Sequence, residues 1–140
     1  MYTNILLPTD GSELSQRAVR HGIQLAKAVG ARVTGLSVVV SSHMPSGNGT
    51  AILGDHVLQD AAQEFLAFVA EEAKAQGVPC SCFSVTGPSA HEEIVAAAQG
   101  RECDLIVMGS HGRSAMGKLL LGSEAAQVIA GCQVPVLLCR

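Results

Sequence analysis

The segment Gly112–Leu119, GRSAMGKL, matches a phosphate-binding P-loop except at its last position. In a P-loop the lysine is followed by serine or threonine, whose hydroxyl ligates Mg²⁺. Here Leu119 replaces that hydroxyl residue. Lys118 also lies several residues before the next helix-like segment, whereas a P-loop lysine lies at the start of its helix. Both departures argue against a P-loop, so the glycines need another explanation.

A second explanation uses the glycines around that segment. Gly109, Gly112 and Gly122 allow the backbone to approach a ligand closely, and exposed amides in such a loop form an anion-binding concavity. A helix is predicted to begin at Ser123, where amides without acceptors and the helix dipole favour a phosphate. The Ser123 hydroxyl is predicted to cap the helix, to bond a phosphate oxygen, or to do both.

Charged and polar side chains near these glycines have competing interpretations. Arg113 is either a phosphate contact or a solvated loop charge, and Lys118 is better explained as solvated. Asp10 ends another predicted strand, and together with the glycine loop it favours a nucleotide site over a simple turn residue. His111 has no nucleophile or orienting carboxylate beside it, so it is interpreted as a loop histidine rather than a general base.

The elements that must position these residues follow a regular alternation. Short apolar segments rich in β-branched residues alternate with segments of helical periodicity, in the order β-α-β-α-β-α-β-α-β. This order predicts one domain, residues 1–140, with a parallel sheet covered by helices on both faces. Ligands of such sheets bind beyond the carboxyl ends of the strands, which here are followed by Asp10, by the residues after Val38 and by the segment after Met108.

The helix boundaries follow from capping residues. Ser12 and Gly30 are predicted to cap and end the first helix, and Ser89 opens a capping box with Glu92. The segment 41–55, SSHMPSGNGTAILGD, is predicted to be a loop. A helix is then expected from about residue 55 to 76, and its core face would comprise Leu58, Ala62, Phe65, Val69 and Ala73.

Composition restricts the class of protein. Apolar residues make up 48% of the chain and charged residues 15%, which argues against disorder, and the formal net charge of -3 argues against a nucleic-acid partner. There is no apolar run of the roughly 20 residues that a membrane span requires. The amino-terminal segment has no signal-peptide pattern. We therefore expect a soluble, cytoplasmic protein.

The five cysteines are expected to be reduced. Cys80 and Cys82 share one face of a predicted strand. Their spacing is not a zinc-binding pattern, so they are interpreted as buried core thiols.

The spacing Gly109-x2-Gly112-x9-Gly122-Ser123 resembles the nucleotide-binding signature of the universal stress protein family. ILLPTDGSELSQRAVRHGIQLAK, CDLIVMGSHGRSAMGKLLLGS and VPVLLCR are similar to that family's first strand and helix, phosphate loop and last strand. The resemblance covers the whole chain. It implies a three-layer α/β/α fold with a five-stranded parallel sheet, of the Rossmann-like type that adenine nucleotide alpha hydrolases share, and ATP, or AMP or ADP, in the cleft.

The resemblance implies a role for each residue of the adenosine half of the site. Asp10 would contact the ribose, and Pro8 and Thr9 would line the adenine side. Val38 would meet adenine through its backbone.

The resemblance also implies the phosphate half. Met108 and Gly109 would line the ribose and α-phosphate region. Gly112, Gly122 and Ser123 would give amides, and one hydroxyl, to the phosphates.

Two positions depart from the family's pattern. Family members often carry a second hydroxyl two positions after the serine, and here that residue is Ala125. Glu124 places a carboxylate beside the proposed phosphates. It would repel a triphosphate unless a cation such as Mg²⁺ intervened.

The resemblance implies a stress-response or regulatory protein that binds ATP with little or no turnover. Two alternatives stay open: a slow ATPase or nucleotidyl transferase of similar architecture, and a module that binds another phosphate-bearing or apolar ligand. The final segment Val134–Cys139 is expected to form an edge strand that joins two copies in a homodimer, as the family often does.

Overall fold

The computed structural model describes residues 1–41, 50–112 and 121–140, and of residues 50–55 it describes the helical backbone alone. Strands and helices alternate along these ranges as the sequence predicts. Their bounds are β1 Asn4–Pro8, α1 Glu13–Val29, β2 Arg32–Val40, α2 Thr50–Ala75, β3 Cys80–Gly87, α3 Ala90–Gly100, β4 Leu105–Gly109, α4 Ser123–Gly131 and β5 Val136–Cys139.

The strands form one parallel five-stranded sheet in the order β3-β2-β1-β4-β5. β1 is central, and Ile5 lies opposite Val33 of β2 on one side and Leu105 of β4 on the other. β3 and β5 are the edge strands. The predicted parallel sheet is confirmed, and so is the edge position of the carboxyl-terminal strand.

The helices cover both faces of the sheet, because alternate side chains of each buried strand point to opposite faces. Ile5 and Leu7 pack with α1 and α2, whereas Leu6 packs with α3 and α4. All five residues of β1 and all five of β4 are buried, as expected for strands covered on both faces. The result is the predicted three-layer α/β/α arrangement.

Side-chain caps fix the first turns of two helices. The Ser12 hydroxyl accepts a hydrogen bond from the Ser15 amide at 3.2 Å and begins α1. Gly30 ends α1 in the left-handed conformation, with φ of 76°. The Ser89 hydroxyl accepts from the Glu92 amide at 3.5 Å and begins α3. These predicted caps are confirmed.

The predicted start of α2 was wrong. The helix begins at Thr50 rather than about residue 55, so the loop is shorter than the segment 41–55. A single glycine inside a helix, here Gly54, costs only about 1 kcal/mol and does not end it. Leu58 is 48% exposed and does not join the core, because the described buried face of α2 begins at Ala62 and includes Leu66.

The cysteines of β3 also differ from expectation. Cys80 and Cys82 are intermediate in exposure rather than buried. They lie on an edge strand, which has a neighbouring strand on one side only.

Among the helices in the described ranges, none is both long and apolar enough to cross a membrane.

Asp104 joins the start of β4 to the start of β1. Its carboxylate accepts hydrogen bonds from the Thr3 amide at 2.9 Å, the Asn4 amide at 3.1 Å and the Thr3 hydroxyl at 3.1 Å. Burial alone would raise the pKa of Asp104, but these hydrogen bonds outweigh it and hold the pKa below its ordinary value. The ionised carboxylate therefore stabilises the junction between the two central strands.

We expect Asp104→Asn to lower the free energy of unfolding by about 1 kcal/mol at neutral pH. A folded-state pKa below the unfolded value gives stability that is present above the unfolded pKa and is lost as the pH falls through the folded pKa. The difference in the free energy of unfolding between the unmodified protein and Asp104→Asn should therefore shrink as the pH falls below about 4. Urea denaturation at neutral and acidic pH measures this. An equal loss at both pH values would contradict the prediction.

Candidate functional site

The topology predicts a crevice beside β1 and β4, because the chain leaves these two adjacent strands for opposite faces of the sheet. After β1 the chain enters α1 on one face, and α4, which follows β4 in the chain, packs on the other. Such a reversal leaves a gap beyond the carboxyl ends of the two strands, and ligands of open parallel sheets bind there.

The turn after β1 presents Asp10 at this crevice. The hydroxyl of the buried Thr9 lies 3.1 Å from that of Ser15 and accepts from the Gly11 amide at 3.2 Å. Asp10 Oδ1 accepts from the Ser12 amide at 3.0 Å. Gly11 adopts a φ of 76°, which a side chain would strain. The Thr9 and Ser12 bonds fix the turn, and the Asp10 side chain remains exposed.

Gly112, from the loop after β4, lies directly against Asp10. A Cβ atom on Gly112 would be only 2.5 Å from Asp10 Oδ2. The position therefore accepts no side chain without moving the carboxylate. Two residues that are far apart in sequence thus meet at the crevice.

Backbone hydrogen bonds fix the start of α4 to the end of β4. The Ser110 amide donates to the carbonyl of Cys139 at 2.8 Å, and the Gly122 amide donates to the carbonyl of Ser110 at 2.6 Å. A Cβ atom on Gly122 would lie 3.0 Å from the Cα of His111. Sequence reasoning missed the buried Ser110, because an isolated serine after a strand carries no distinctive signal.

Among the described residues, no side chain caps the amino terminus of α4. Its N-cap is Gly122, and Ser123 is the first helical residue, so of the two roles considered for the Ser123 hydroxyl the capping role is excluded. The Ala126 amide donates to the Gly122 carbonyl at 3.0 Å. The amides of the three residues before Ala126 therefore have no acceptor within the helix. In α1 and α3 the capping serines occupy one such amide each.

Glu124 contacts α3 through a pair of interactions that the sequence did not predict. Its Oε2 accepts from the His91 backbone amide at 2.7 Å and lies 3.2 Å from His91 Nδ1. His91 Nδ1 also lies 2.9 Å from the Ser89 hydroxyl. The carboxylate thus lies at the amino terminus of α3, where the helix dipole favours it. Residues 33 positions apart give no local sequence signal of this contact.

Ala125 is one of the two positions that depart from the resembled signature. Its side chain is 2% exposed and belongs to the core between the sheet and the α3–α4 layer. This helix therefore uses that position for packing.

The other predicted site residues lie around the same edge of the sheet. Pro8 ends β1 and is buried, Gly109 ends β4, and Met108 before it is 7% exposed. Pro8 lies opposite Leu36 of β2, so the half-buried Val38 lies two residues beyond the last paired residue of β1.

Some of the predicted features cannot be placed. Arg113 lies outside the described residues, as do Gly117, Lys118 and Leu119. Within the described ranges, no group of three or more histidine, cysteine, aspartate or glutamate side chains could hold a metal ion.

The sequence as a whole is similar to known proteins. The model of the universal stress protein family matches residues 1–140. Universal stress protein MJ0531 of Methanocaldococcus jannaschii is 36% identical over 142 residues, in an alignment that covers 100% of this chain and 83% of that protein.

Solved structures share the fold. The structure of the hypothetical protein MJ0577 of Methanocaldococcus jannaschii has a TM-score of 0.84 and 31% identity, covering 99% of this chain and 96% of that one. A universal stress protein in complex with cAMP has a TM-score of 0.76 and 28% identity, covering 99% of this chain and 97% of that one.

The contact between Glu124 and His91 predicts a measurable contribution to stability. We expect Glu124→Ala to lower the free energy of unfolding by about 1 kcal/mol, because the His91 amide loses a charged acceptor. Glu124→Gln keeps an acceptor oxygen and should lose less. The control Glu71→Ala, at an exposed position of α2, should stay within about 0.5 kcal/mol of the unmodified protein. Urea denaturation compares the three variants, and equal effects of Glu124→Ala and Glu71→Ala would disprove the contribution.

Proposed function

Because the chain belongs to the universal stress protein family, we propose that it binds an adenine nucleotide, ATP in particular, between β1 and β4. In this proposal the protein is a cytoplasmic regulatory protein of the stress response. Binding biases its conformation or its contacts with partners, and does not serve rapid turnover.

The observation that carries the proposal is the meeting of Asp10 with Gly112 beside a helix terminus that no described side chain caps. A carboxylate can accept hydrogen bonds from ribose hydroxyls. Amides without acceptors at the start of a helix, together with the helix dipole, favour phosphate oxygens. The crevice thus offers an acceptor for a sugar and donors for an anion, which is the combination that a nucleotide requires.

The adenosine half would lie over the ends of β1 and β2. Asp10 would accept from the ribose. Adenine would lie near Val38, which extends beyond β1, with Pro8 and Thr9 below it. Pro8 and Thr9 are buried, and the Thr9 hydroxyl already has Ser15 and Gly11 as partners. They would therefore line the bottom of the site rather than make hydrogen bonds to adenine.

The phosphate half would lie between the end of β4 and α4. The Gly122 amide already donates to Ser110, so the amides of Ser123 and the residues after it are the stronger candidates for phosphate contacts. Gly109 and Gly112 would allow the phosphates to approach the backbone, with Met108 in the buried floor. Arg113, next in sequence to Gly112, would supply a positive charge.

The partner of Glu124 reduces the repulsion expected from the sequence. Its Oε2 accepts from the His91 amide at the start of α3, which stabilises the negative charge away from the phosphates. Mg²⁺ would bind mainly through phosphate oxygens, as this ion commonly does with nucleotides.

The solved structure of a similar protein supports an adenine nucleotide as the ligand. A universal stress protein 28% identical to this chain is in complex with cAMP, an adenine nucleotide.

Isothermal titration calorimetry with ATP and Mg²⁺ tests the proposal. We expect saturable binding, and Asp10→Asn should weaken it roughly tenfold, which corresponds to about 1.4 kcal/mol. The asparagine keeps an oxygen that can accept from the Ser12 amide, so the turn should survive while the charge at the ribose is lost. AMP, titrated separately, shows how much the β- and γ-phosphates contribute.

The matched control is Asp60→Asn, which makes the same change at an exposed position of α2. It should bind ATP as the unmodified protein does. The absence of binding up to millimolar ATP, or equal affinities for the Asp10 and Asp60 variants, would overturn the proposal.

We also propose that β5 joins two copies in a homodimer. β5 is an edge strand, and its ladder with β4 uses the carbonyls of Pro135 and Cys139. In a parallel strand, successive residues direct their backbone groups to opposite sides of the strand. Since Pro135 bonds to β4, the amide of the next residue, Val136, faces the open edge of the sheet. An edge strand of this kind can pair with its two-fold mate.

We expect Val136→Pro to lower the dimer fraction, because proline removes the outward amide. Val136→Thr keeps that amide and the branched shape, and it should assemble normally. Light scattering coupled to size-exclusion chromatography measures the mass of each variant, and circular dichroism checks its fold. A monomeric unmodified protein, or a folded proline variant that is fully dimeric, would contradict this assembly.

A further inference from the structure

Cys80 and Cys82 form a pair of thiols at the amino-terminal end of the edge strand β3. Residues two apart in a strand share a face, and these two side chains pack against the core under α2. Their Sγ atoms lie 3.6 Å apart. Both side chains are intermediate in exposure, so they are held by the fold and still accessible from its edge.

The sulphur of Cys82 has space because its neighbour on β2 lacks a side chain. Gly35 lies opposite Cys82 in the sheet, and a Cβ atom on Gly35 would be 2.9 Å from Cys82 Sγ and 3.0 Å from Val69. The Leu66 carbonyl lies 3.7 Å from the same sulphur. The strand, the glycine and α2 together orient this thiol.

The strand does not favour a disulfide between the two residues. Same-face neighbours in a strand are separated by about 6.5 Å, and their Cβ atoms point in parallel. A relaxed disulfide needs Cβ atoms about 3.8 Å apart. Closing this bond would distort β3, so the pair is best suited to remain two thiols.

The sulphur separation suits one bridging atom with a bent coordination angle. With sulphur bonds of about 2.3 Å, the observed separation corresponds to an angle of roughly 100°. Linear coordination would need sulphurs about 4.6 Å apart at the same bond length. Zinc would need further protein ligands, and the described residues contain no group of three or more metal-binding side chains.

We propose that Cys80 and Cys82 chelate trivalent arsenic that carries one organic substituent, an arsonous acid R–As(OH)₂. Trivalent arsenic is thiophilic and pyramidal, so two sulphurs and the substituent complete its coordination. Each As–OH bond is replaced by an As–S bond, and each thiol proton leaves with hydroxide as water. Arsenic stays trivalent, and no oxidant or reductant is needed.

The acidities of the two thiols agree with this chemistry. The hydrogen bond from the Cys80 thiol lowers the pKa of Cys82 to about 7 against the opposing effect of burial, and a hydrogen bond from the Gly35 backbone adds to the lowering. The same contact, together with burial, raises the pKa of Cys80. Cys82 is therefore the first nucleophile, and Cys80 closes the chelate.

Phenylarsonous acid, the hydrated form of phenylarsine oxide, is the probe. Mass spectrometry of the reduced intact protein should show one phenylarsenic group per chain. It should withstand excess glutathione, a monothiol, and be removed by the dithiol 2,3-dimercaptopropanol. Inorganic arsenite, which keeps a third hydroxyl, should bind more weakly than the probe. Stronger binding of arsenite would overturn the choice of a monosubstituted ligand.

The variants Cys80→Ser and Cys82→Ser should each weaken probe binding by about 100-fold, because the second thiol acts intramolecularly in the chelate. Cys132→Ser and Cys139→Ser are the matched controls and should bind as the unmodified protein does. Circular dichroism confirms that each variant is folded. The proposal is overturned if glutathione removes the adduct, if Cys80→Ser or Cys82→Ser keeps full affinity for the probe, or if equimolar Zn²⁺ displaces the probe. These outcomes are independent of nucleotide binding.

Discussion

The structure depends on a change of face between β1 and β4, two adjacent parallel strands. The chain leaves β1 for one face of the sheet and leaves β4 for the other. This single topological choice places α1 and α2 on one side and α3 and α4 on the other, and it opens the crevice at the carboxyl ends. The junction is maintained at both ends. Asp104 accepts from Thr3 and Asn4 where the two strands begin, and Gly112 contacts Asp10 where they end.

The helices differ in how their first turns are capped. Side chains cap α1 and α3, whereas no described side chain caps the amino terminus of α4. Ser12 and Ser89 give a hydroxyl oxygen to the first turns of α1 and α3, and Glu124 gives a carboxylate to the start of α3 as well. The N-cap of α4 is Gly122, which offers no side chain. A serine there would offer an acceptor to one amide, but its oxygen would compete with an anion and its Cβ would lie only 3.0 Å from the Cα of His111. The glycine is therefore consistent with a terminus kept open for phosphate.

Most of the fold could be predicted from sequence because its signals are local. Alternating apolar segments, capping residues and terminal glycines fixed the type and order of the elements. The start of α2 could not be predicted, since the glycines and the proline before Asp55 are typical of a loop. The exposure of Leu58 depends on where the helix meets the sheet. The contact of Glu124 with His91 was also inaccessible, because it is set by the packing of α3 against α4.

The two proposed sites use opposite ends and different strands of the same sheet. The crevice lies at the carboxyl ends of the central strands. Gly112 has no side chain there, and a Cβ atom at that position would collide with Asp10. The thiols lie near the amino end of an edge strand. Gly35 on the neighbouring strand has no side chain, and a Cβ atom there would collide with Cys82. Strand β2 links them, since it carries both Gly35 and Val38. A buried, hydrogen-bonded strand is not easily deformed, so we expect each of the two sites to be occupied without a change at the other.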